Sequence, residues 1–126
     1  MEDLYFRKLN VYTNSKELTK YIYYLLKAFP LEEKFALCSQ IRRAVTSIPI
    51  NIAEGFGRFS SKEKARFTEI AYGSLTELSC ELEISYELDY ITKEQYDEAE
   101  RQITIIAKQL SNLHKSIINN FNKITN

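Results

Sequence analysis

Tryptophan is absent from this 126-residue chain, histidine occurs once, cysteine and proline twice each, and glycine three times. Each scarcity removes a class of structure or chemistry. So few turn-forming residues argue against a many-stranded β fold and for a few long helices, so an all-α class is expected. Cys38 and Cys80 lie far apart with no CxxC pairing and no partner histidines, which argues against a disulfide framework or a zinc site and for reduced, partly buried thiols. The lone His114 has Ser111 three residues before it. The paired Glu-x-x-His motifs with which helical bundles hold two iron ions are therefore absent, and no metal or other cofactor is expected.

Long apolar runs are also lacking. Nothing approaches the roughly 20 uninterrupted apolar residues of a membrane span, and the start Met1-Glu2-Asp3-Leu4-Tyr5-Phe6-Arg7-Lys8 is acidic with no apolar signal core. A cytoplasmic protein with no membrane contact is expected. Net charge is lacking too, because seventeen basic and seventeen acidic residues cancel. Their distribution is uneven: Arg42 to Arg66 holds six basic residues (Arg42, Arg43, Arg58, Lys62, Lys64, Arg66) against Glu54 and Glu63, whereas Phe67 to Glu100 holds Lys93 against ten acids. That polarity suits self-association or contact with a polyanion at one end.

What is present is helical periodicity. The chain is long enough for one domain with its own core, residues 1–126. Leu18, Tyr21, Ile22, Leu25, Leu26 and Phe29 share a helix face over about 14–29, behind an Asn14-x-x-Glu17 start and ahead of Pro30. Residues 1–13 read either as an ordered leader or as an earlier helix start. A second helix over about 31–58 carries Leu37, Ile41, Val45, Ile48, Ile52 and Phe56. Pro49 in its middle predicts a kink, with two helices meeting at Ser47-Ile48-Pro49 as the alternative.

Gly55, Gly57 and Ser60 close that helix, and Ser60-Ser61-Lys62-Glu63 is a capping box for a third over about 61–90. Its core face is Phe67, Ala71, Leu75, Leu78, Leu82 and Ser85, and the small Gly73 and Ser74 would let a neighbouring helix approach. Thr92-Lys93-Glu94-Gln95 caps a fourth helix over about 93–121, with Tyr96, Ala99, Ile103, Ile106, Leu110, Leu113, Ile117 and Phe121 inward. Short connections make the four an antiparallel up-down bundle.

Gln40-Ile41-Arg42-Arg43-Ala44, Ser47-Ile48-Pro49-Ile50-Asn51-Ile52-Ala53-Glu54-Gly55, Arg58, Phe67, Ile70-Ala71, Gly73-Ser74-Leu75 and Glu77-Leu78 together resemble the four helix bundle proteins of the 23S rRNA intervening-sequence family. The resemblance implies a small cytoplasmic bundle, often encoded within bacterial 23S rRNA genes, with no established enzymatic activity. Such proteins are similar to the accessory protein of diversity-generating retroelements, a barrel-like homopentamer that binds nucleic acid. A homo-oligomer, with a pentamer favoured, and RNA or DNA as a partner are what this implies for the present chain.

The residues add a finer reading. At 100° per residue, Gln40, Arg43, Ser47, Asn51, Glu54 and Arg58 form one polar stripe beside the apolar face of the second helix. Either they satisfy one another inside one subunit or they meet a neighbouring one. Arg42 points away from that stripe, so Arg42, Lys62 and Arg66 are the expected nucleic-acid contacts. Phe56, Arg58, Phe59, Lys62 and Phe67 interleave aromatic and basic types, which suits base stacking as well as packing.

Enzymatic chemistry is not indicated. Glu77 with Glu81, and Glu83 with Glu87, read as a solvated face or as partners for basic groups of another subunit. They have no nucleophile, cofactor loop or second histidine beside them. Gly55-x-Gly57 lacks the third glycine and the lysine of a phosphate loop. The function expected is a non-enzymatic oligomeric bundle that binds RNA or DNA through its basic segment; the alternative is a protein-interaction or scaffold module with no nucleic-acid role.

Overall fold

In a computed structural model, residues 4–125 are described, with side chains described through residue 120. The elements run α1 (Asn10–Leu26), α2 (Leu37–Gly55), α3 (Ser61–Glu87) and α4 (Lys93–Thr125), with short 3-10 turns at Tyr5–Lys8 and Leu31–Glu33. No strand occurs among the described residues. Each helix packs on the next, and α1 closes the square against α4. This is the expected all-α four-helix arrangement. No helix among the described residues is long and apolar enough to cross a membrane.

The core follows the periodic stripes. Leu18 and Ile22 of α1, Ile41, Val45, Ile48 and Ile52 of α2, Ala71, Leu75, Leu78 and Leu82 of α3, and Ala99, Ile106 and Leu110 of α4 are almost entirely shielded from water. Each such leucine or isoleucine contributes about 1.5–3 kcal/mol relative to an exposed one. Phe67 and Ser85 are buried as expected, whereas Leu37, Phe56 and Tyr96 are only half-buried at the ends of their stripes, and Leu113 is half-buried between the buried Leu110 and Ile117. Phe121 lies outside the residues whose side chains are described. Of the two thiols, Cys38 is buried, but Cys80 is exposed rather than partly buried.

Helix boundaries depart from the sequence expectation, each for a local reason. α1 starts at Asn10, after the extended Leu9, so Asn14 is interior and caps nothing. Its Nδ2 instead donates to Gln109 Oε1 on α4 at 3.0 Å, tying the first and last helices together. α2 starts six residues late because Leu31–Glu33 forms a 3-10 turn after Pro30 and Ala36 adopts a non-helical backbone. α3 stops at Glu87, where Asp89 turns left-handed (φ 63°) and the Tyr90 amide returns to the Ser85 carbonyl at 2.9 Å. That 6→1 bond satisfies a carbonyl the helix end would orphan.

Both expected capping boxes are present in whole or part. Ser60 Oγ accepts from the Glu63 amide at 3.1 Å. Thr92 Oγ1 accepts from the Gln95 amide at 3.1 Å while Gln95 Oε1 accepts from the Thr92 amide at 3.0 Å. α2 runs continuously through Pro49, so the two separate helices that Ser47-Ile48-Pro49 also allowed are not formed.

Candidate functional site

The turn between α2 and α3 concentrates the basic groups. After Gly55 the chain makes one tight turn, with Gly57 N bonded to Glu54 O at 3.0 Å and Arg58 N to Gly55 O at 3.1 Å, before Ser60 opens α3. Gly55 is required here by space. A Cβ at that position would stand 2.9 Å from Phe67 Cβ, so the bare backbone is what lets α2 close onto the first turns of α3.

Phe67 organises the charges above it. Its buried ring carries the Arg58 guanidinium at 4.9 Å and that of Arg66 at 4.8 Å from the centroid. Arg58 also pairs with Glu54 at 3.0 Å and Arg66 with Glu63 at 2.9 Å. Both pairs are exposed, and exposed pairs contribute about 0–1 kcal/mol, so the carboxylates hold the two arginines only weakly. Lys64 Nζ donates to the Arg58 carbonyl and lies over the half-buried Phe56 ring at 6.0 Å. Lys62 is exposed. Phe59, at the tip, has a side chain wholly in water (relative exposure 103%). Tyr5 packs on Phe56 in a tilted pair with ring centroids 5.6 Å apart, so the N-terminal turn flanks the same end.

Arg42 is elsewhere. It lies thirteen residues before Gly55 on α2, roughly 20 Å away at 1.5 Å per residue. Its Nη2 donates to the Lys34 carbonyl at 2.9 Å, which fastens the α1–α2 connection to the first turns of α2. Its side chain is half-buried, whereas Arg43, on the polar stripe beside the apolar face, is exposed. Lys62 and Arg66 therefore share one end of the bundle, joined by Arg58 and Lys64, and Arg42 does not join them.

The polar stripe of α2 divides in the same way. Ser47 Oγ lies 2.8 Å from Ser74 Oγ on α3, and Asn51 Nδ2 donates to both the carbonyl and the hydroxyl of Ser47, at 2.7 and 2.8 Å. These three side chains satisfy one another within the chain. Gln40, Arg43, Glu54 and Arg58 are exposed.

One acid departs from expectation. Glu81, read from spacing as part of a solvated face, is only 5% exposed, and its Oε1 is buried without a hydrogen-bond partner. Burial first, then the neighbouring Glu77 carboxylate and a hydrogen bond shared with it, push its carboxyl up to about 7; Arg43 pulls the other way. The helical wheel places Glu81 at the edge of the α3 core face, and that adjacency was the available signal. Elsewhere, His114 Nε2 lies 3.2 Å from Glu69 Oε2 across the α3–α4 seam. Among the described residues, no three His, Cys, Asp or Glu side chains gather as they would around a metal ion.

The family profile described as 23S rRNA-intervening sequence protein matches residues 7–112. A crystal structure of a protein of unknown function from the S23 ribosomal protein family of Bacteroides thetaiotaomicron is similar to this chain at 33% identity and a TM-score of 0.77, covering 83% of this chain and 98% of that one. No curated protein matches.

Proposed function

This chain belongs to the 23S rRNA-intervening sequence protein family, and from that premise we propose that it acts without catalysis, as a homo-oligomeric bundle, a pentamer, that binds RNA or DNA through its α2–α3 end. One observation carries the nucleic-acid part: Arg58, Lys62, Lys64 and Arg66 share the α2–α3 end with a fully exposed Phe59. Four cations within nine residues offer phosphate contacts, and an aromatic ring held in water beside them offers a face for an unpaired base.

The test is a fluorescence titration of single-stranded RNA and DNA across a salt series. Affinity is expected to fall with log salt in proportion to the phosphates neutralised. The double substitution Lys62→Glu with Arg66→Glu is expected to weaken binding by about tenfold or more, and Phe59→Ala to weaken it with little change of salt slope. Arg42→Glu, remote from the turn, is the internal control. Binding that is absent at low salt, or unchanged by the double reversal, defeats the reading.

A second reading has its own support. Leu31 and Phe35, in the α1–α2 connection at the other end of the bundle, are 88% and 86% exposed. Apolar side chains displayed in that way favour a protein partner, and a scaffold role follows if that end, rather than the basic one, proves to be the binding surface.

A further inference from the structure

The outer face shared by α2 and α3 is incomplete in a single chain, in three respects. Gly73 sits in the middle of the 27-residue α3, is exposed, and a Cβ there would meet nothing within 4 Å. Glycine in a helix interior costs about 0.5–1 kcal/mol relative to alanine, and nothing inside this chain uses the space it leaves. One and two turns further along the same face stand Glu77 and Glu81. The Glu81 carboxyl is held against Glu77 with Arg43 as the basic group from α2, yet its Oε1 has no partner. A buried acceptor left unsatisfied is expensive in a finished structure. Around them Ile50, Ile70 and Ile84 are 58%, 37% and 41% exposed.

The opposite side of the bundle supplies the counterpart. Between α1 and α4 runs a groove of about 540 Å³ with Tyr21, Ile105 and Ile106 as its apolar part, Asn14 and Gln102 as its neutral polar part, and Lys20 and Arg101 against the single acid Glu17. Contacts through the bundle set its height. Asn14 meets Gln109, Thr19 meets Val45, and Ser47 meets Ser74. The groove on one side and Gly73 on the other are therefore at the same level along the bundle axis. One face offers bare backbone, projecting isoleucines and carboxylates, and the other a part-apolar groove in which two cations outnumber the one carboxylate.

We propose that the α2–α3 face around Gly73 and Glu81 is covered by the α1–α4 face of a second copy of this chain, with Lys20 of that copy donating to the Glu77–Glu81 pair. Lys20 is free to change partner, since its present bond to Glu17 at 3.2 Å is between side chains 73% and 61% exposed. The two faces lie on opposite sides, so the contact is head-to-tail. Repeated, such a contact forms a ring when its rotation closes and an open filament when it does not, and the homo-oligomer of the proposed function is the closed case. This inference rests on the homo-oligomer of the proposed function and names its surfaces.

The test uses two single variants and light scattering. Gly73→Arg puts a long cation on the α2–α3 face where nothing in the chain opposes it, so the helix remains intact by circular dichroism. Ile105→Arg blocks the α1–α4 groove. Each alone is expected to reduce the assembly to monomer, and an equimolar mixture is expected to give a dimer and nothing larger, since one intact face of each kind remains. Wild-type assembly persisting unchanged in Gly73→Arg, or variants that stay monomeric when mixed, overturns the proposed faces and leaves the oligomer standing. A monomeric wild type overturns the oligomer as well.

Discussion

The hydroxyl of Thr19 lies 3.4 Å from the carbonyl oxygen of Val45, the α2 acceptor that Pro49 leaves without an amide partner. In an unbroken ladder the amide of residue 49 would bond that carbonyl. Proline has no N–H, so the neighbouring helix supplies a substitute. Thr19 divides its hydroxyl between Val45 and the Ser15 carbonyl at 2.8 Å, so the interhelical share is the weaker.

Pro49→Ala is therefore expected to raise stability. An interior proline costs about 3 kcal/mol relative to alanine, and loss of its buried ring offsets part of the gain, leaving a net rise of about 1 kcal/mol and a few degrees in Tm. Thr19→Val is expected to destabilise the parent by roughly 0.5–1.5 kcal/mol and the Pro49→Ala background by less, because alanine's amide then serves Val45. Urea unfolding of the four proteins in the cycle measures the coupling. Equal losses in both backgrounds would show that the Thr19–Val45 contact contributes nothing.

Gly55→Ala tests the tight junction of α2 and α3. The new methyl would lie 2.9 Å from Phe67 Cβ and 3.6 Å from the Lys64 carbonyl, neither of which can swing aside as a flexible side-chain end would. A loss of about 1–3 kcal/mol is expected by thermal unfolding. Since Phe67 carries Arg58 and Arg66, weaker nucleic-acid binding is expected to accompany it. Unchanged stability would mean that the helices separate freely at this turn.

The stop of α3 makes an opposite prediction. Asp89 holds φ 63°, a region that glycine enters without the steric penalty of a Cβ. Asp89→Gly is expected to stabilise by about 0.5–1 kcal/mol and Asp89→Ala to destabilise. A fall in the unfolding midpoint of the glycine variant would show that the aspartate side chain, rather than the backbone, holds the stop.

Sequence showed the helices wherever burial repeats. Ile41, Val45, Ile48 and Ile52, or Ala71, Leu75, Leu78 and Leu82, each define an inward face unaided, and Ser60 and Thr92 mark their helix starts through chemistry confined to four residues. What escaped was decided by distant partners. Asn14 has the spacing of a cap, but its amide is taken by Gln109, ninety-five residues away. Arg42 and Arg43 are adjacent, and a helical wheel alone cannot show that the Lys34 carbonyl claims the first. Phe59 could be read as stacking or packing from pattern alone; its full exposure follows from where the turn leaves it.

Glu81 carries the pH prediction. Its carboxyl is raised to about 7 in the folded chain from an ordinary value of 4.5, by burial first and by Glu77 second. Between those values the folded state holds a proton that the unfolded state has released, so stability falls as pH rises from about 4.5 to about 7 and then levels off. Glu81→Gln keeps the shape and removes the charge. It is expected to leave stability unchanged near pH 4 and to add on the order of 1–3 kcal/mol at pH 8. Urea unfolding across that range, in the Ile105→Arg background where the α2–α3 face is open and unaltered, reads the difference. In the assembled wild type the second copy's Lys20 would favour the ionised pair, so there the same substitution is expected to weaken association at pH 8. A glutamine variant less stable than its Ile105→Arg parent at pH 8 would mean that the ionised Glu81 already finds its partner inside one chain.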